Sequence, residues 1–363
     1  MDFRIFFADI GQGSCNIIVF PLDDLDPKRA WFSSEEVVNQ AILVDCGPKK
    51  SKVPIEILQE QNVRIIDAII LSHNDGDHAN GVQNILDNYP PLSGGQKCIT
   101  DFYYVPDRSD NENKIRSSAN RAYSNGYILN IPETLQTDVQ GSSQSKPCAT
   151  IRDFKNSRLI CLSPTGNEAS GYRAEGKKSN EASAVVMLQS SSFSVLFTGD
   201  AMMQSMHGIH QRIGKRIACD ILTVPHHGGI IGWNQELPLR DLYNKYVSAE
   251  HAIVSASTTN SHGHPCKEVL DCIYESDPGC RVVCTQATRN CSCRGVSRKS
   301  KRTLTNFPAE STNRSEPRSR PCVGTICVDC TKDGIRFVQL NNQIMKAKAW
   351  LKRQQLACPL QPN

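Results

Sequence analysis

The sequence lacks any run approaching the roughly 18 consecutive apolar residues that a membrane helix needs. Its first stretch, MDFRIFFADIGQGSCNIIVFP, has no basic leader followed by an apolar core and a small-residue cleavage site. These absences argue against a spanning helix and a secretory leader, and set the expectation of a soluble, cytoplasmic protein with no membrane partner. A dominant sign of charge is missing as well. Lys and Arg number 41 against 37 Asp and Glu, a net +4, which does not decide between a polyanionic and a small-molecule partner. Nor do the 16 cysteines read as a disulfide framework. Most sit singly inside apolar segments, as Cys15, Cys46, Cys161 and Cys219 do, and read as reduced core residues.

What is present is an ordinary globular composition, 39% hydrophobic and 21% charged over 363 residues, long enough for a sizeable core. The apolar segments are short and evenly punctuated. FRIFFADIG, CNIIVFP, AILVDCG, DAIILS, RLICLS, SAVVML, SVLFTGD, DILTVP, HAIVSAS and RVVCTQ each end on a Gly, Pro, Asp or Ser signal and predict strands. Helices are fewer, over VPIEILQEQN, residues 82–88, LRDLYNKYVS and PCKEVLDCIYES. Strands that outnumber helices, with helices following some of them, predict a layered α/β fold with large mixed sheets. Residues 107–126 and 132–147 are polar and read as irregular surface loops.

One stretch differs in kind. Residues 289–320 hold nine Lys and Arg against two Glu, a balance of +7, so the rest of the chain sums to −3. Its Ser, Asn and Pro content reads either as a linker or as a basic arm that follows a phosphate backbone through Arg298, Lys299, Lys301 and Arg302.

Directly after the apolar run IIDAIIL, the segment LSHNDGDHANG packs His73, Asn74, Asp75, Asp77 and His78 into six positions. Other metal-capable residues recur at the ends of buried strands: Asp200 after SVLFTG, His226 and His227 after DILTVP, and His262 and His264 beyond HAIVSAS. Ends of neighbouring strands meet in space. Imidazoles and carboxylates together are what divalent cations require, and two carboxylates in DGD repel unless a cation lies between them.

HNDGDH resembles the metal motif of the metallo-β-lactamase superfamily, usually H-x-H-x-D-H, and LFTGD and VPHHGG resemble its later metal-binding loops. The form with Asp in place of the second His, an Asn-x-x-Ser segment (Asn180 to Ser183), TGD, HHG and a terminal HGHP is similar to the hydrolase domain of the competence DNA-uptake channel ComEC. No membrane channel accompanies the motifs, so uptake itself is not expected. The resemblance implies one αββα sandwich, two mixed β-sheets flanked by helices, over residues 1–363 with the basic insertion at about 289–320. It implies two divalent ions, zinc or manganese with magnesium as a further option. His73 and Asp75 would hold one, Asp77 and His78 the other, Asp200 would bridge them and His226 would complete the second site. The family's usual third His of the first site has no counterpart, and Asn180 stands near where it would fall, facing substrate. Asp45 in LVDCG would orient the metal loop by hydrogen bonds.

Such a pair of cations lowers the pKa of a shared water and stabilises charge on a phosphoryl or carbonyl oxygen, so no side-chain nucleophile is required. Asp77 would serve catalysis as well as metal, His264 and His227 would contact a substrate phosphate or protonate the leaving oxygen, and His262 would line the substrate. A second, C-terminal group, Cys284, Cys291, Cys293, Cys327 and Cys330, reads either as a structural zinc site or as buried strand residues, and its spacing matches no standard finger. Three functions compete: a phosphodiesterase cleaving DNA or RNA, a hydrolase of a small ester, lactone or cyclic nucleotide, and a catalytically weak nucleic-acid- or partner-binding subunit.

Overall fold

The computed structural model describes residues 2–23, 26–33, 35–107, 109–137, 148–175, 179–232, 238–258, 260–286, 288, 323–340 and 342–343. Fifteen strands follow in chain order. They are β1 (Phe3–Phe7), β2 (Asn16–Pro21), β3 (Asn39–Val44), β4 (Val63–Ile70), β5 (Ile99–Tyr104), β6 (Glu133–Thr134), β7 (Ala149–Phe154), β8 (Ser157–Ser163), β9 (Val185–Ser190), β10 (Ser194–Phe197), β11 (Ile217–Thr223), β12 (Val247–Val254), β13 (Arg281–Cys284), β14 (Ile326–Thr331) and β15 (Gly334–Val338). The helices are α1 (Val53–Glu60), α2 (Gly76–Ala79), α3 (Val82–Asn88), α4 (Asp110–Ser124), α5 (Gly166–Glu175), α6 (Met203–Ile213), α7 (Leu239–Asp241) and α8 (Lys267–Ser276).

The strands form two mixed sheets. The first has the order β15-β14-β1-β2-β3-β4-β5-β6 and the second β13-β12-β11-β10-β9-β8-β7. In the first sheet, pairings from β15 to β3 are antiparallel and those from β3 to β6 parallel. In the second, β10 to β13 run parallel and β7 to β10 antiparallel.

Alternation along each strand explains the layering. In β2, Ile18 and Phe20 enter the core between the sheets, while Ile17 and Val19 face the core under the helices. In β9 and β10, Val186, Leu188, Val195 and Phe197 face the other sheet, while Val185, Met187 and Leu196 face α6 and α8. Strands buried on both faces read as continuous apolar runs, which is why these segments stand out in the sequence. The outer layers are closed by Val53, Ile57 and Leu58 of α1, Val82, Ile85 and Leu86 of α3 and Ile115 and Ala119 of α4 on one side. Met203, Met206 and Ile209 of α6 and Val269 and Ile273 of α8 close the other. The result is an α/β/β/α sandwich, as expected. Aromatic rings pin the centre, Phe3 meeting Phe20, Phe154 and Phe193 edge-on at 5.8, 4.9 and 5.9 Å.

All ten expected strands are present. One loop expectation is overturned: residues 107–126 contain α4 rather than irregular chain. Ser109 caps it by accepting from the Glu112 amide, and Glu112 accepts in return from the Asp107 amide. These local bonds and an Ile115/Ala119/Ala122 stripe are enough to carry a polar helix. LRDLYNKYVS forms only the three-residue α7, followed by a π-type turn over Leu242–Tyr246. Residues 289–320 lie outside the described residues, as do 138–147. No helix among the described residues is long and apolar enough to cross a membrane.

Candidate metal centre

Parallel strands direct their carboxyl ends to one side, and the site is assembled there. Asp45 follows β3, His73 to His78 follow β4, Asp200 follows β10, His226 and His227 follow β11, and His264 lies beyond β12. The first half of the chain and the second therefore each contribute one rim of a single cluster.

At its centre is Asp200, buried, with its two carboxylate oxygens facing different partners. Oδ1 lies 3.1 Å from His78 Nε2 and 3.4 Å from His227 Nε2. Oδ2 lies 3.7 Å from both His73 Nε2 and His226 Nε2. On the Oδ1 side, His227 Nε2 is also 3.6 Å from Asp77 Oδ2 and 3.1 Å from His78 Nε2. On the Oδ2 side, His73 Nε2 is 3.8 Å from Asp75 Oδ2. Among the described residues, His73, His78 and Asp200, and Asp77, His78 and His227, form groups compact enough to hold an ion.

The hydrogen bonds on the outer side of each ring set what the inner nitrogen presents. Asp45 Oδ2 accepts from His78 Nδ1 at 2.8 Å, and the Ser255 carbonyl accepts from His227 Nδ1 at 2.8 Å. Both rings then aim Nε2 inward. Burial opposes an imidazolium at His78, but Asp200 and Asp45 on its two sides outweigh it and raise its pKa well above the ordinary value. The pocket thus draws a positive charge to His78 Nε2, the position at which a metal would bring its own. Burial likewise works against the Asp200 carboxylate, yet His78, His227 and His73 hold its pKa well below the usual range. Asp77 is lowered too, its burial overcome by the neighbouring His227 and His78 imidazoles.

The donor set fits divalent ions. His73 Nε2 and Asp200 Oδ1 are buried with no hydrogen-bond partner, an arrangement that costs free energy unless something else meets their lone pairs. Four donors placed tetrahedrally at metal–ligand bonds of 2.0–2.1 Å stand about 3.3–3.4 Å apart. The contacts of Asp77, His78, Asp200 and His227, at 3.1–3.6 Å, bracket that separation.

His227 takes the place expected of His226. The turn Pro225–Gly228 holds both histidines in the left-handed region, φ 51° and 55°. That conformation costs about 1–2 kcal/mol per non-glycine residue, and it sends two consecutive imidazoles to opposite oxygens of one carboxylate. His226 instead stands on the first side, with Asn180 Nδ2 3.5 Å from its Nε2. The sequence shows two adjacent histidines but not a left-handed turn, so it does not reveal which ring goes where. Burial, first, and the neighbouring His227 and His78 lower the His226 pKa.

His264 is buried beside the cluster, its ring 5.2 Å from His226 and 6.3 Å from His227, with Nδ1 unpartnered. Asn260 grips its backbone, donating to the His264 carbonyl and accepting from its amide. Burial and three neighbouring histidines push its pKa down to about 4. His262 is exposed, 5.5 Å from His264. Asp45 is fully buried and accepts from the Ser72 amide at 2.7 Å as well as from His78.

Of the C-terminal cysteines, the three among the described residues do not converge. Cys284, Cys327 and Cys330 belong to or pack against three different apolar clusters. Cys327 and Cys330, three apart on β14, point to opposite faces of the sheet, so these three share no ion. Cys291 and Cys293 lie outside the described residues, with Arg298, Lys299, Lys301 and Arg302.

The loop between β1 and β2, DIGQGS, is a site element that sequence reasoning missed. The Ser14 amide donates to the Asp77 carbonyl at 3.2 Å, and Ser255 Oγ donates to the Gly13 carbonyl at 2.8 Å. Two glycines at the end of an apolar strand were the available signal.

Residues 36–97 match the Metallo-beta-lactamase superfamily. The chain is 22% identical over 219 residues to ComE operon protein 3 of Bacillus subtilis, covering 60% of this chain and 24% of that protein. It is 24% identical over 274 residues to Recombination protein 2 of Haemophilus influenzae, covering 73% and 26%. It thus spans about a quarter of the length of either relative. Among solved structures, the metallo-beta-lactamase fold protein YhfI of Bacillus subtilis is 11% identical, with a TM-score of 0.41 over 78% of this chain and 96% of that one. The motif segment lies inside the matched residues, and the two mixed sheets carry its donors at their strand ends, so over residues 36–97 the chain is similar to the Metallo-beta-lactamase superfamily.

Proposed function

We propose that the chain is a metal-dependent phosphodiesterase that cleaves DNA or RNA at a dinuclear centre. The observation that carries this reading is the divided carboxylate of Asp200, each oxygen facing its own set of donors. Asp77, His78 and His227 with Oδ1 form one binding set, and His73, Asp75 and His226 with Oδ2 the other. Bound divalent ions supply a water of lowered pKa and neutralise charge that builds on a phosphoryl oxygen. Carboxylates among the ligands favour manganese or magnesium more than an imidazole-only set does, and zinc is accommodated as well.

The chain's own groups complete the chemistry. Asp77, half-buried and 3.6 Å from His227 Nε2, remains a carboxylate throughout the neutral range. His264, a neutral ring with a free Nδ1 beside the cluster, hydrogen-bonds a non-bridging phosphate oxygen or the leaving oxygen. Asn180, 3.5 Å from His226, and His262, 5.5 Å from His264, contact the substrate. A nucleic-acid substrate is supported by the similarity to Recombination protein 2 and ComE operon protein 3 and by the +7 balance of residues 289–320, whose Arg298, Lys299, Lys301 and Arg302 supply phosphate contacts.

The test is hydrolysis of plasmid and oligonucleotide substrates in Mn2+ or Zn2+, set against a panel of lactones, thioesters and cyclic nucleotides. Chelator-sensitive cleavage of the polymers at a higher kcat/KM than any small ester is the expected outcome. Turnover of a small ester alone would replace this reading with the small-substrate one.

A further inference from the structure

Ser72 precedes the first histidine of the motif and belongs to none of the donor sets. Its surroundings are nonetheless unusually specified. Ser72 Oγ lies 2.8 Å from Asp45 Oδ2 and 3.0 Å from His73 Nδ1, whereas His78 Nδ1 is 3.5 Å away and bonds Asp45 directly. The residue is 1% exposed. Its carbonyl accepts from the Ala184 amide at 2.7 Å, and a Cβ placed on Gly199 would come within 2.5 Å of its oxygen. The hydroxyl therefore has one place to be.

The proton directions follow from the chemistry of the groups. A carboxylate only accepts, so the Ser72 hydroxyl spends its single hydrogen on Asp45. Its oxygen is then an acceptor, and His73 must carry its proton on Nδ1 to use it. That leaves the lone pair of His73 on Nε2, facing Asp200 Oδ2 and Asp75. Asp45 reaches His78 in one step and His73 in two, and by these routes one buried carboxylate sets the tautomer of an imidazole in each donor set.

We propose that Ser72 is a positioning residue that relays Asp45 to His73 and so sets the first metal site without touching a metal. This rests on the dinuclear reading above. Removing the hydroxyl leaves the Asp45–His78 bond in place, so the effect is confined to one site. In Ser72→Ala, His73 loses the acceptor for its Nδ1 proton, and the ring is free to carry the proton on Nε2, where it blocks coordination.

Titration with Mn2+, followed by electron paramagnetic resonance and elemental analysis, should show two ions per wild-type chain. In Ser72→Ala one ion should bind as before and the other about 10–100-fold more weakly, the range typical of a lost outer hydrogen bond. Nitrogen-15 NMR of the metal-free imidazoles should show His73 protonated at Nδ1 in the wild type and shifted toward Nε2 in the variant. Two ions bound unchanged, or both weakened alike, overturns the role of Ser72. A wild type that binds no Mn2+ overturns the metal reading instead, while the NMR arm still tests the relay. Should Ser72→Ala fail to fold, the wild-type spectrum decides, because a His73 proton on Nε2 contradicts the relay outright.

Discussion

Gly13 lies so close to the backbone of Asp77 that a Cβ in its place would stand 2.0 Å from the Asp77 carbonyl oxygen. Its φ of +123° adds a conformation that side-chain-bearing residues rarely adopt. The loop after β1 is therefore the floor on which the metal loop rests. In Gly13→Ala either the loop or Asp77 must move. The expected cost is at least about 2 kcal/mol of stability, with hydrolysis lost in the fraction that still folds. Thermal unfolding and turnover of the variant measure the two separately, and a variant with wild-type values for both would show the contact to be slack.

Asp200→Asn keeps the volume and one acceptor oxygen but removes the charge that serves both donor sets. Bound metal should fall from two ions per chain to below one, and hydrolysis should drop with it. Elemental analysis after dialysis is the check. Unchanged stoichiometry would show that each site is complete without Asp200.

His226 and His227 separate the structural assignment from the one the sequence suggests. His227→Ala removes a donor beside Asp77 and His78, and should lose the ion of that side. Hydrolysis should fall by more than the roughly 10–100-fold that an outer hydrogen-bond partner contributes. His226→Ala should leave that ion in place. The reverse pattern would restore His226 to the second site.

Arg152, on β7 of the second sheet, crosses to the first. Its Nε donates to Asp67 Oδ2 at 2.6 Å and its Nη2 also pairs with Asp101. Both acids are mostly buried, so Arg152→Ala leaves them exposed to each other's charge, with Lys28 Nζ, 3.5 Å from Asp67, as partial relief. Because Arg152 keeps 22% of its side-chain exposure, the expected loss is at the low side for a broken buried pair, roughly 2–3 kcal/mol. A denaturant midpoint unchanged within error would show the link to be energetically neutral.

The basic stretch distinguishes a polymeric substrate from a small one. Replacing Arg298, Lys299, Lys301 and Arg302 by Ser should flatten the salt dependence of duplex binding by about 0.9 in log–log slope for each phosphate no longer neutralised. Cleavage of a minimal phosphodiester should hardly change. An unaltered slope would make residues 289–320 a passive linker.

Much of the molecule is legible in its sequence. Ten of the fifteen strands are, because burial on both faces writes Ile17 to Phe20 or Val185 to Leu188 as unbroken apolar runs. The donors are, because His73, Asp77, His78 and Asp200 each follow such a run. The division of labour between His226 and His227 is not, since it depends on two left-handed residues that no side-chain pattern announces. Helix α4 is hidden for a different reason: its stripe is mostly alanine, and its cap is built from polar residues that also read as loop. Ser72 carries no signal of its own, because a serine beside a histidine acquires meaning only from Asp45, 27 positions away.

The first sheet is closed late in the chain. Strand β1 pairs on one side with β2, directly after it, and on the other with β14, where Phe3 stands opposite Cys330. During synthesis, then, the edge of β1 remains open until more than three hundred further residues have been made. The interval exposes an apolar strand whose unpaired amides and carbonyls are a template for another chain. It also lengthens the average separation along the chain between residues that pair, which slows folding. The half that carries His73 to His78 is thus finished last although it is made first, and yield on expression should depend on how well that edge is shielded in the meantime.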